Sequence, residues 1–230
     1  MIELKGISKS YGKKVVLDQV DLQIPKGQVT FLVGENGSGK STLMNLIMRL
    51  IPKGKGEILL DGQAMTEADY NRVAYVPDQI IVLKNQTIQQ ALDFMKDYYE
   101  TFNRSRALEM LDFFHLNAED RIDELSKGNV AKVNLLLGLA LDSEYILMDE
   151  PFAGIDLFTR EEISQVFCSK LIEGQGVLIS SHDVQEVEFM IDQAVFLQDG
   201  RIVDQLQLED YREATGKGLI DRMREVYRGE

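Results

Sequence analysis

Residues 34–41 read Gly34-Glu35-Asn36-Gly37-Ser38-Gly39-Lys40-Ser41, and they constrain this chain more than any other stretch of it. They follow the unbroken apolar run Val29-Thr30-Phe31-Leu32-Val33 and precede Leu43, Met44, Leu46, Ile47 and Leu50 at helical spacing. The pattern G-x-x-x-x-G-K-[ST] therefore sits between a predicted strand and a predicted helix, the context that gives it meaning. Its glycines let successive backbone N–H groups turn inward around phosphate oxygens, and the start of the helix adds a positive dipole end. Within this stretch Lys40 reaches toward the β- and γ-phosphates and Ser41 is a candidate Mg²⁺ ligand. Gly34, Asn36, Gly37, Ser38, Gly39 and Thr42 complete the candidate nucleotide contacts. Met44 and Met48, on the helix that follows, read as core residues.

A phosphate loop of this kind needs a carboxylate to help hold its metal, and Tyr145-Ile146-Leu147-Met148 is an apolar strand that ends in Asp149-Glu150. Consecutive strand residues point to opposite faces. The pair can therefore divide its work: Asp149 toward the metal, Glu150 toward an attacking water as general base. Around this strand the chain alternates, with a charged helix near 159–172, a strand at 177–180 and a helix near 184–191, which argues for a parallel sheet and an α/β class. Residues 3–33 carry short β-like runs and glycine-marked turns and read as an antiparallel region, with further strands at 56–61 and 72–76. Thr87 and Gln90 form a plausible capping box. It opens a helical block at about 87–140, marked by Ile88, Leu92, Met95 and Tyr99, then Ala107, Leu108, Leu111 and Phe114. Strands at 194–198 and 201–205 flank Asp199-Gly200, a two-residue hairpin signal. A charged helical tail occupies about 206–230, and no internal repeat or linker divides residues 1–230, which read as one domain.

Charge narrows the function classes. Against 25 Lys and Arg stand 38 Asp and Glu, a formal net charge of −13, which excludes a nucleic-acid binder that works by bulk positive charge. The apolar fraction of 44% excludes disorder. The single cysteine, Cys168, has no partner for a disulfide within the chain. Met1 to Gly6 lacks the apolar stretch of a signal peptide, and the most apolar run, residues 133–141, is far shorter than the ~20 residues that span a bilayer. Any membrane connection then goes through a partner.

With Leu125-Ser126-Lys127-Gly128-Asn129 lying a little upstream of Asp149-Glu150, the chain resembles an ABC-type ATPase over nearly its whole length. The resemblance implies a P-loop ATPase core with a mostly parallel sheet, an N-terminal antiparallel β subdomain and an inserted helical subdomain. It implies ATP and Mg²⁺ as ligands, and a dimer with a second copy or another ABC ATPase in which a signature loop completes the partner's ATP site. Ser126 and Gly128 match that loop, whereas Lys127 and Asn129 depart from it; Ser126 is also a good N-cap for the apolar helix behind it. By the same resemblance Tyr11 stacks on adenine, His182 contacts the γ-phosphate and Asp156 lies in a loop that crosses to the opposite site. The glutamine loop reads Tyr75-Val76-Pro77-Asp78-Gln79, whose register favours Asp78 at the glutamine position, near Mg²⁺ or the water, with Gln79 as the alternative. His115 reads as structural. The family's members power a separate integral-membrane permease from the cytoplasmic face, and the Asp78 and Ser126-Lys127-Gly128 variants are similar to ATPase subunits of bacterial exporters. A soluble ABC ATPase of an assembly process, such as iron–sulfur cluster biogenesis, is the alternative; a P-loop kinase or GTPase leaves Leu125 to Asn129 and His182 unexplained.

Overall fold

The structure, a computed structural model, describes residues 1–78, 85–167, 169, 172–181 and 188–229. Two sheets organise it. The first is antiparallel, in the order β2-β1-β4-β5, and joins β1 (Ile2–Tyr11), β2 (Lys14–Ile24), β4 (Lys55–Leu60) and the short β5 (Gln63–Ala64). The second runs β10-β9-β3-β8-β7-β6 and joins β3 (Val29–Val33), β6 (Val73–Val76), β7 (Tyr145–Asp149), β8 (Gly176–Ser181), β9 (Gln193–Gln198) and β10 (Arg201–Gln207). Its strands from β9 to β6 are parallel and β10 is antiparallel on the edge.

Strand β3 departs from the expected antiparallel region at 3–33: it sits in the middle of the parallel sheet. The physical reason is in its composition. Its five residues are apolar or buried on both faces, which suits a strand covered on two sides and not the half-solvated strands β1 and β2. Alternation then splits the sheet into two cores. Leu32, Leu147, Leu178 and Val195 face the antiparallel sheet and α1 (Lys40–Ile47), where Leu43 and Met44 are fully buried. Phe31, Val33, Ile146, Met148, Val177 and Phe196 face the helices α2 (Ile88–Tyr98), α3 (Arg104–Phe113), α4 (Lys127–Leu139) and α5 (Leu157–Phe167).

The helical block expected at 87–140 is present as α2, α3 and α4. Its entry is fixed by the Thr87–Gln90 capping box, with Gln90 N–H donating to Thr87 Oγ1 at 3.2 Å and Thr87 N–H to Gln90 Oε1 at 2.9 Å. The Asp199-Gly200 turn has φ of 48° and 76°, the doubly positive backbone of a tight hairpin. β10 extends to Gln207, so the charged tail begins at Leu208 and folds as α6 (Leu208–Thr215) and α7 (Leu219–Arg228). Helix α5 is shifted from its expected 159–172, beginning two residues sooner and ending at Phe167. Residues 184–187 of the helix expected at 184–191 lie outside the described residues; Glu188–Met190 form one 3-10 turn.

Candidate nucleotide site

The strand order brings the carboxyl ends of β3, β8 and β7 side by side, which is where open parallel sheets place their ligands. The loop after β3 is packed so closely that glycine is required. A β-carbon on Gly34 would lie 2.5 Å from Ser38 Oγ and 2.7 Å from the Leu197 carbonyl oxygen, and one on Gly39, at φ 114°, would lie 2.7 Å from Leu17 Cδ2. Ser38 N–H donates to the Glu35 carbonyl at 3.1 Å and closes the turn. Helix α1 then starts at Gly39 with no side-chain cap, which leaves its first N–H groups for an anion. Ser38 Oγ is buried and has no hydrogen-bond partner among the described residues. Asn36 and Ser41 are exposed and Thr42 is half-buried, so the loop's polar side chains border solvent.

Lys40 is 6% exposed and curls back over this loop. Its ammonium donates to the Gly34 carbonyl at 2.7 Å and the Glu35 carbonyl at 3.3 Å, and lies 3.3 Å from Glu150 Oε1. The cation that a phosphate would call upon is thus already beside the acid assigned to activate water.

Glu150 gets there by a route that strand alternation does not provide. It lies beyond β7 with φ of 48°, and its N–H donates to the Ser180 carbonyl at 3.1 Å and to Ser180 Oγ at 3.0 Å. Asp149, the last residue of β7, shares the face of Tyr145 and Leu147, the face covered by α1. It is 2% exposed and accepts from Ser180 Oγ at 2.5 Å. Ser180 thus holds both acidic residues, a role no motif announced; the signal is its β8 register directly opposite Asp149. Tyr75, whose hydroxyl lies 3.4 Å from Asn45 Oδ1, has its pKa pushed up by burial and by the charges of Asp149 and Asp78.

Magnesium takes few protein ligands and completes its shell with water and phosphate oxygens. Asp149 and Ser41 fit that donor set, and among the described residues no cluster of three His, Cys, Asp or Glu forms an all-protein metal cage.

Around the loop, the other candidate residues are placed as follows. Tyr11 ends β1 and is 50% exposed, with Lys9 Nζ over its ring at 5.3 Å from the centroid. Asp78 is exposed just past β6, and Asn134 of α4 donates to the Pro77 carbonyl at 2.6 Å. Ser126 caps α4, accepting from Asn129 N–H at 3.3 Å. Asp156 opens α5, accepting from Thr159 N–H at 3.1 Å and Thr159 Oγ1 at 2.8 Å, bonds that hold its carboxyl below the usual range. Thr159 also meets Gly128, where a β-carbon would lie 2.6 Å from Thr159 Oγ1, so the segments of Ser126 and Asp156 are packed together. No hydrogen bond or ion pair among the described residues joins Ser126, Gly128 or Asp156 to residues 34–42. His182, Gln79 and Cys168 lie outside the described residues. His115 is exposed at φ 53° just past α3, a turn residue ending that helix.

A glycine cradle at the mouth of a parallel sheet, a buried lysine folded over it and an Asp-Glu pair at the end of β7, one strand beyond β8, define a P-loop ATPase. The family model described as "ABC transporter" matches residues 17–153. The chain is 32% identical over 216 residues to the ABC transporter ATP-binding protein YtrB of Bacillus subtilis (strain 168), covering 93% of this chain and 74% of YtrB. It is 33% identical over 235 residues to the petrobactin import ATP-binding protein YclP of the same organism, covering 94% and 90%. Among solved structures it is similar to the dimeric bacterial ABC transporter cassette MJ0796, with a TM-score of 0.79 and 27% identity over 90% of this chain and 99% of that one. The chain belongs to the ABC transporter family and is one of its ATP-binding, ATP-hydrolysing subunits.

Proposed function

We propose that residues 1–230 act as a single motor unit that works in pairs and drives an integral-membrane permease carried on a separate chain, from the cytoplasmic face of the membrane. The observation that carries the reading is Lys40, buried in the loop at 2.7 Å from the Gly34 carbonyl and 3.3 Å from Glu150. Triphosphate entering the loop offers the ammonium a better acceptor than a neutral carbonyl, and moving Lys40 onto phosphate takes its charge away from Glu150, the carboxylate assigned to accept a proton from water. Loop N–H groups and the start of α1 bind the phosphate oxygens, and Tyr11 stacks on the base. Asp149 and Ser41 would hold Mg²⁺, which supplies positive charge to the phosphates when bound. His182 is assigned the γ-phosphate contact and Asp78 a place beside the water.

In the pair, Ser126 and Gly128 of one copy meet the triphosphate of the other, with Asp156 beside them. Closing and reopening of that interface moves the helical block and the loop at Asp78, and through them the permease. Direction is a further part of the reading. We assign export, on the likeness of Asp78 and Lys127 to the exporter type; YclP is named for import, so membership of the family alone does not fix it. The assembly-factor alternative has no observation in its favour. Affinity capture of the tagged chain from detergent-solubilised membranes tests the partner: an integral-membrane protein retained and released by MgATP is expected, and recovery of the chain with soluble proteins alone overturns the reading.

A further inference from the structure

Helix α7 has no part in the site described above, yet it touches the base of the nucleotide loop. Tyr227, near its end, donates its hydroxyl to the Val33 carbonyl at 3.0 Å and lies 3.4 Å from the Leu197 carbonyl. Val33 is the last residue of β3 and the one before Gly34. The Leu197 oxygen is the same atom that stands 2.7 Å from where a β-carbon on Gly34 would be. One hydroxyl therefore reaches the carbonyl that precedes the first glycine of the loop and the carbonyl that walls that glycine in. We propose that Tyr227 is a positioning residue for the nucleotide loop, and that α7 acts through it as a clamp that raises the affinity for nucleotide.

The proposal rests on residues 34–42 being the nucleotide loop. The clamp is firmly mounted. The Tyr227 ring packs on Phe196 of β9 with centroids 6.1 Å apart, and Ile220, Met223 and Val226 lie against the helical-side core. Arg222 spans Asp204 of β10 and Glu225, both at 2.7 Å, while Lys217 pairs with Glu225 at 2.5 Å. Leu219 is fully buried, and its N–H donates to Glu188 Oε1 at 2.9 Å, the same oxygen that accepts from Arg212 at 2.7 Å. The helix cannot slide without breaking the Arg222–Asp204 pair and the Leu219–Glu188 bond. Burial and the nearby charge of Glu35, itself in the loop, both push the Tyr227 phenol upward, so its proton stays in place to be donated. A loop whose first turn is fixed in advance loses less freedom on binding phosphate, and affinity rises by that saving.

The test is titration of the full chain with a fluorescent ATP analogue in Mg²⁺, beside steady-state ATPase kinetics and thermal melts. Tyr227→Phe keeps the ring and removes only the donor. It should weaken nucleotide binding by about 3- to 10-fold, the scale of one lost hydrogen bond, with KM rising by a larger factor than kcat falls. Arg222→Gln, which loosens α7 with the hydroxyl intact, should weaken binding in the same direction. An unchanged affinity in both variants overturns the proposal. So does an affinity loss no greater than that of a variant elsewhere with an equal fall in Tm, such as Arg72→Met at the amino ends of β6 and β7, because the hydroxyl would then act only through stability. Lys40→Ala run alongside separates the two claims: if it binds nucleotide as tightly as the wild type, the reading of the loop itself has failed.

Discussion

Lys40 is an ammonium nearly sealed from water, held by two carbonyls and one carboxylate, and each of those partners has a different fate when phosphate arrives. Removing it should cost kcat/KM at least ~10²-fold, the scale seen when one charged or dipolar donor to a transition state is lost. Lys40→Ala should also be less stable, by about 1–3 kcal/mol, because the Gly34 carbonyl loses its donor in a buried position; purified-enzyme ATPase rates and melts check both, and near-normal turnover would sink the assignment. At this scale the sequence was readable for Lys40, Ser41 and Asp149, whose spacing and flanking strands fix their places. For Glu150, assigned to the water, the turn that brings it into place was not readable. Alternation puts the residue after Asp149 on the far face, but φ of 48° turns Glu150 toward Lys40, held by Ser180 on a strand thirty residues away. That requires the β7–β8 pairing, which only the assembled sheet supplies. Ser180→Ala removes a hydroxyl that touches both Asp149 and the Glu150 N–H. It should lower kcat by about 10-fold with a smaller change in nucleotide affinity, since its work is to orient two acids rather than to bind phosphate.

Among the elements, α4 carries the most structural information toward the site. It begins at the Ser126 cap, and two turns on Asn134 ties it to the Pro77 carbonyl next to Asp78. It then crosses β6 so closely that a β-carbon on Gly138 would lie 2.4 Å from Val76 Cγ2. Val76 is buried in a fully packed sheet and has no room to retreat. Gly138→Ala should therefore push α4 off β6 and cost about 1–3 kcal/mol, the usual penalty of overpacking, despite alanine's better helix propensity. Val76→Ala in the same chain should recover part of that loss, and a double-mutant cycle by chemical denaturation measures the coupling; additive losses would mean that the close approach is not the cause. Elements with local signals were legible: the Thr87–Gln90 box, the Asp199-Gly200 hairpin, the apolar run of β3. Their partners were not. That β3 belongs to the central sheet and that α7 reaches the loop depend on contacts between residues 148 and 194 positions apart, for which no short motif exists.

For the whole molecule, charge decides what happens at low pH and between copies. Glu144, at the start of β7, is held down to about 2 by the Arg72 guanidinium at 2.6 Å and by Lys26 at 2.8 Å. A carboxyl depressed on folding contributes stability above its ordinary pKa of 4.5 and loses it as pH falls toward about 2. Arg72→Met should thus melt below the wild type at neutral pH, with the gap closing across that window; a gap constant down to pH 2 would assign Arg72 to packing instead. Between copies the sign is opposite, for a net charge of −13 on each chain resists association. The wild type should be largely monomeric without nucleotide, and MgATP should close two chains only while the triphosphate is intact. Glu150→Gln keeps the shape of the residue but cannot accept a proton, so hydrolysis should slow by ~10²–10⁴-fold and ATP should persist at the interface. That variant should run as a dimer on size exclusion in MgATP. Ser126→Arg added to it should return it to monomer, because Ser126 stands at the exposed start of α4 with no bond to its own loop, and a bulky cation there fouls the partner's site. Addition of the same Ser126→Arg to one tagged copy and Lys40→Ala to the other should leave one competent site per pair and a partly restored dimer. If Glu150→Gln binds MgATP normally and stays monomeric at millimolar nucleotide, two copies of this chain do not suffice to close the interface, and the pairing must include another ATPase subunit or the permease.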